Sequence, residues 1–178
     1  MDEVTLANKC IEGDPRAQRE LFEMYAPKMM GVCLRYMKDQ AQAEDVLQDG
    51  FVKVFTKLDK YTGNGSLEGW VRRIMVNTSL DHLRKSNKFN ANVSMDDVSY
   101  KVESDADALS DLMEEDLLKL IREMPDGYKT VFNMFAIEGY SHKEISDKLG
   151  ISENTSKSQY SRAKAYLRTK LEELEIGR

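Results

Sequence analysis

Cysteine is scarce. Cys10 and Cys33 are the only two, and with just His82 and His142 beside them no spacing offers a zinc site. A disulfide is not expected in the cytosol, and both thiols are expected as small buried hydrophobes. Three prolines and ten glycines are too few for an architecture of many turns, which weighs against a β fold. No run of 18 apolar residues is present, so nothing is expected to span a membrane. The start, Met1-Asp2-Glu3, lacks the positive opening of a secretion signal. Paired-histidine and phosphate-loop motifs are absent too, which leaves little for an enzyme and calls for no cofactor.

What remains is a chain of 178 residues, 41% hydrophobic and 32% charged, long enough for one domain or two small ones. Its net charge is −5, which suits nucleic acid badly until it is read by segment. Met95 to Asp116 holds nine acidic residues and one base, Lys101; that local −8 set against the total of −5 leaves +3 elsewhere. The bases gather from Arg72 to Lys88 and from Lys157 to Lys170.

The second basic stretch belongs to the most legible part of the chain, 139–171. Ser141 followed by Glu144 is a capping box that starts a helix carrying Ile145 and Leu149 on one face. Gly150 stands where a left-handed cap ends it, Ile151 plugs the turn, and Ser152 or Asn154 starts the next helix. That helix turns Tyr160, Ala163 and Leu167 inward and carries Lys157, Arg162, Lys164, Arg168 and Lys170 on other faces. No acid interrupts Thr155 to Lys170. This is the pattern of a helix-turn-helix whose second helix enters a major groove.

Before it, the periodicity predicts a short helix from Thr5 to Glu12, then one from Pro15 with Ala17, Leu21, Met24 and Tyr25 on one face. Pro27 is expected to kink or interrupt it. A long helix from Ala41 to about Leu58 has Leu47, Phe51, Val54 and Leu58 as its apolar stripe and Glu44, Asp45, Gln48, Asp49 and Val52 on another face. A glycine-rich loop, 61–66, ends at the capping residue Ser66. The helix from Leu67 to about Lys88 buries Val71, Met75 and Thr78 in one row and Val76, Leu80 and Leu83 in another. That leaves Trp70, Arg73, Asn77, Asp81 and Arg84 in line. An aromatic ring, a guanidinium and an amide on one face suit unstacked bases. The fold class expected is all-α: two small helical domains, 1–88 and 108–178, joined by an acidic flexible linker, 89–107.

Three stretches in this order resemble the extracytoplasmic-function type of bacterial sigma factor. Ala43 to Phe55 (AEDVLQDGFVKVF) resembles region 2.2, Trp70 to Phe89 the minus-ten segment, and Met124 to Phe132 (MPDGYKTVF) with the helix-turn-helix resembles region 4. The resemblance implies a chain that binds core RNA polymerase, through its β′ coiled coil and β flap, together with promoter DNA. It places Asp45, Gln48, Asp49 and Val52 against the polymerase. It places the loop Gly63, Asn64, Gly65, Ser66 and Leu67 around a flipped minus-ten base held by Asn77, with Trp70, Arg73, Asp81, Arg84 and Lys85 beside it. Ser152, Asn154, Thr155, Lys157, Ser158, Ser161 and Arg162 fall at the minus-thirty-five element. Two positions depart from the family: Ser156, where an apolar residue usually packs inward, and Gln159, where a base is common. A cytoplasmic location and an anti-sigma factor, which can hold the chain at the inner membrane, are implied as well. Read from residues alone, a helix-turn-helix regulator and a protein-interaction adaptor remain open beside this.

Overall fold

The computed structural model describes residues 1–85 and 114–176 and divides into two compact units between Leu83 and Arg84. Every regular element among the described residues is helical, as the sequence predicts. The acidic linker lies outside the described residues.

The first unit holds α1 (Glu3–Ile11), α2 (Pro15–Tyr36), α3 (Gln40–Lys57), a single 3-10 turn (Leu58–Lys60) and α4 (Leu67–Arg84). Aspartates start the first three. The Asp2 side chain accepts from Thr5, Asp14 from Arg16 and Ala17, and Asp39 from Gln42. Asp2 therefore begins α1 ahead of the expected Thr5. The helix α2 runs unbroken through Pro27, contrary to the expected interruption. Pro27 is exposed, so the carbonyl it leaves without an amide partner lies on the solvent side of the helix. Met24 is likewise exposed rather than inward, because the buried face of α2 is centred on Tyr25, Met29 and Val32, and Met24 lies about a quarter-turn off it. Both expected rows of α4 are buried. Cys10 and Cys33 are free and buried, and burial pushes the Cys33 thiol up to about 12, far from reactive.

The helices α3 and α4 meet at Gly50. A methyl group there would collide with the fully buried Met75 thioether, which would have to shift to admit it. Gly50→Ala should gain about 1 kcal/mol of helix propensity and lose about 1–3 kcal/mol to overpacking, for a net loss. Thermal melting checks this, and the loss caused by Gly50→Ala should disappear when it is measured against a Met75→Ala background. A melting temperature that rises in the single variant would mean that Met75 swings aside freely.

The second unit holds α5 (Glu114–Glu123), α6 (Asp126–Phe132) running into one wider π turn (Asn133–Ile137), α7 (His142–Leu149) and α8 (Glu153–Ile176). Its core joins Leu120, Ile121, Met124 and Phe132 to Ala163 and Leu167 of α8. Lys129, almost wholly buried, keeps its ammonium 3.3 Å from Asp126. The capping box of Ser141 and Glu144 is complete, and Gly150 takes the left-handed φ of 67° that ends α7. Among the described residues no helix is long and apolar enough to cross a membrane.

Candidate functional site

The loop before α4 is a small closed structure. Gly63 and Gly65 take φ of 77° and 83°, a turn that side chains resist, and the Tyr61 hydroxyl donates to the Gly65 carbonyl at 2.9 Å. Ser66 then caps α4 by accepting from the Gly69 amide at 3.0 Å. Gly63, Asn64, Gly65 and Ser66 are exposed, while Leu67 is buried and anchors the loop's exit. Trp70 is half-buried, its ring 5.9 Å from that of Tyr61 and tilted by 55°. From it Arg73, Asn77 and Arg84 follow on the exposed side, with Lys85 exposed just past the helix. Asp81 departs from this line of potential base readers. Its carboxylate turns toward α3 and meets the Lys53 ammonium at 3.1 Å. A carboxylate repels DNA phosphate, so its engagement by α3 fits its charge better than a DNA contact does.

On α3, Asp45, Gln48, Asp49 and Val52 form one exposed stripe, and Val52 is 60% exposed, unusual for an isolated valine. The core side of the same helix is Ala43, Val46, Gly50, Phe51 and Val54, with Leu47 only half-buried. The exposed ring of Phe22 on α2 has its centre 4.7 Å from that of Phe51. Asp49 is not alone: His82 of α4 brings Nε2 to 2.8 Å from its carboxylate. Sequence reading missed this pairing, since nothing local links residues 33 apart. The helix of the candidate stripe and the candidate base-reading helix therefore share two polar bridges, His82 to Asp49 and Lys53 to Asp81.

The recognition helix α8 presents Asn154 and Lys157 fully, and Ser158 and Ser161 in part. Ser152 is exposed, but its hydroxyl is taken up in capping, accepting from the Thr155 amide at 3.0 Å. Two expected positions do not face outward. Thr155 and Arg162 are 7% and 6% exposed. The buried face of α8 is wider than its apolar residues announce, because Ser156 and Gln159 are also fully buried and extend it toward Thr155 and Arg162. Arg162 lines a cleft of about 230 Å³ with Tyr128, Tyr166 and Lys170. Helical spacing from Lys157 through Ser161 leads instead to Lys164 and Arg168, which had not been placed among the DNA-facing positions. Arg162→Ala should therefore lower the melting temperature and leave sequence preference unchanged. Lys157→Ala should weaken binding to all duplexes alike and reduce the salt slope by about one. Binding of cognate and scrambled duplexes at several salt concentrations separates the two behaviours.

Ser156, the first departure from the family, packs inward all the same. The His142 Nδ1 satisfies its hydroxyl at 2.8 Å, and the imidazole stacks on Phe135 with ring centres 4.3 Å apart. Burial, helped by the nearby Lys157 charge and opposed by Glu153, lowers the His142 pKa from its ordinary 6.5. The folded chain thus binds that proton less readily than the unfolded one. The contribution of His142 to stability is complete above about pH 6.5 and declines as the pH falls below it. The melting-temperature advantage of wild type over His142→Gln should be smaller at pH 5.5 than at pH 7.5. An advantage that grows on acidification would reverse this assignment.

Known proteins match both units. Residues 21–89 fit the family model Sigma-70 region 2, and residues 114–167 fit Sigma-70, region 4. RNA polymerase sigma-H factor of Pseudomonas aeruginosa is 27% identical over 170 residues, spanning 89% of this chain and 88% of its own. ECF RNA polymerase sigma factor SigW of Bacillus subtilis is 27% identical over 178 residues, spanning 92% and 93%. Among solved structures, sigma factor RpoE of Bartonella quintana, in complex with the anti-sigma factor NepR, superposes with a TM-score of 0.53 at 21% identity over 90% of this chain and 98% of that one. At that identity the likeness speaks for the fold.

Proposed function

Because the chain belongs to the extracytoplasmic-function type of RNA polymerase sigma factor, which directs polymerase to promoters and is no catalyst, we propose that its surfaces divide this work in three. Asp45, Gln48, Asp49 and Val52 dock on the β′ coiled coil of core polymerase, the carboxylates meeting basic partners and Val52 an apolar one. The Gly63–Leu67 loop and the Trp70, Arg73, Asn77 face of α4 take the opened minus-ten strand. Asn154, Lys157, Ser158 and Ser161, with Lys164 and Arg168, take the minus-thirty-five duplex while the same domain rests on the β flap.

The observation that carries this reading is the exposed amide of Asn77 on the helix that follows the tyrosine-closed glycine loop. A fixed loop beside a stacking surface and an amide suits an extruded base, whereas a preformed helix suits the closed major groove. RpoE was solved with an anti-sigma factor, and we assign this chain such a partner too, with a cytoplasmic working site and the membrane reached only through that partner. The test is start-site-specific transcription by purified core polymerase plus this chain alone on genomic promoter fragments. Transcripts from defined start sites support the reading. Transcripts that require another sigma factor would make the chain a regulator.

A further inference from the structure

The first turn of α1 reaches the candidate base-holding loop from the other end of the domain. The Glu3 carboxylate accepts the Leu67 amide at 2.9 Å, across 64 residues. Leu67 begins α4, where the first amides have no partner within the helix, and Ser66 covers only a later one, that of Gly69. Glu3 thus fixes the junction where the loop becomes the helix. Its other oxygen receives the Tyr25 hydroxyl at 3.3 Å, so the carboxylate is itself held from α2. Burial, with the Glu3 charge second, pushes the Tyr25 phenol up to about 12, which keeps that donor protonated. Beside Glu3, the exposed Val4 brings a methyl within 3.4 Å of where a side chain on Gly63 would begin. The loop therefore lies on α1, and α1 is itself anchored by buried Leu6, Ala7 and Cys10.

We propose that the first turn of α1 is part of the minus-ten reader, with Glu3 as a positioning residue that sets the Gly63–Leu67 loop and the start of α4 for the extruded base. This rests on the assignment of that loop to the minus-ten strand. Glu3 touches no DNA. It acts by ordering the loop before the base arrives, so that less ordering remains to be done on binding. The acceptor matters here more than the charge, because the Leu67 amide needs an oxygen within reach.

The test uses holoenzyme and a pool of fork-junction DNA whose single-stranded non-template segment is randomised. Wild type should enrich a base preference in that segment. Glu3→Ala should lose about fivefold of it, in line with loss of a helix cap. Glu3→Asp, whose carboxylate is one methylene shorter and falls short of the amide, should lose it as well. Glu3→Gln, which keeps the oxygen at full length, should retain it. Glu3→Asp keeps the negative charge at the start of α1 and decides the matter if the alanine variant does not fold. Affinity for core polymerase should be equal in all four proteins, as a general defect would not allow. If wild type enriches bases and Glu3→Asp enriches them equally well, the role of Glu3 is overturned. If wild type itself enriches nothing in the single-stranded segment, the loop's assignment to the minus-ten strand fails instead.

Discussion

Replacing Asp45, Gln48 and Asp49 together by alanine is expected to lower affinity for core polymerase at least about tenfold, or 1.4 kcal/mol. All three are exposed, and the core side of α3 runs through Ala43, Val46, Gly50 and Val54. Alanine is also the better helix former at each position. Circular dichroism should therefore keep its helical signal, and the melting temperature should move little. Between helices the change removes the contact of half-buried His82 with the exposed Asp49 carboxylate, an interaction of small worth. Titration of labelled core polymerase reads the affinity. An unchanged value would leave the stripe as a solvated surface and remove the docking assignment.

Asn77→Ala is expected to abolish most open-complex formation while sparing polymerase binding and the minus-thirty-five contact. Asn77 is exposed between rows that bury Val76 on one side and Thr78 on the other. An amide there can donate and accept at once, which is what a base edge requires. Loss of one such contact is worth about 1–3 kcal/mol. Since the contact is to the base itself, a premelted bubble should rescue the variant only in part. Permanganate footprinting and run-off transcription on duplex and bubble templates give the answer. Full activity on both would end the claim that Asn77 reads a base. Unfolding of the variant would make it structural.

The features that were legible in the sequence share one property: they are local. The Ser141–Glu144 box, the left-handed Gly150, the cap at Ser66 and the two buried rows of α4 each need only neighbours within a turn or two. What escaped was either non-local or disguised by polarity. Glu3 with Leu67 and His82 with Asp49 pair across the tertiary fold, and no periodicity announces them. On α8, Ser156 and Gln159 look like surface residues, so the buried face seemed narrower than it is, and Thr155 and Arg162 were set outside it. At Pro27 the alternative of an interruption failed for the opposite reason, since a strong local rule gave way to a helix held by packing on both sides of it, at Tyr25 and Met29.

The seam between α3 and α4 also limits how this protein can be re-engineered. A programme to retarget it to new promoters would naturally randomise the whole outward line of α4. Asp81 does not belong in such a library on its own, because Lys53 holds it, and His82 is tied to Asp49 in the same way. Positions 53 and 81 form one unit of heredity, and 49 and 82 another. Changed singly, each residue takes away a contact that its partner makes across the two helices. If α4 reads the minus-ten strand, a library begins at Arg73 and Asn77, which are exposed and belong to neither pair.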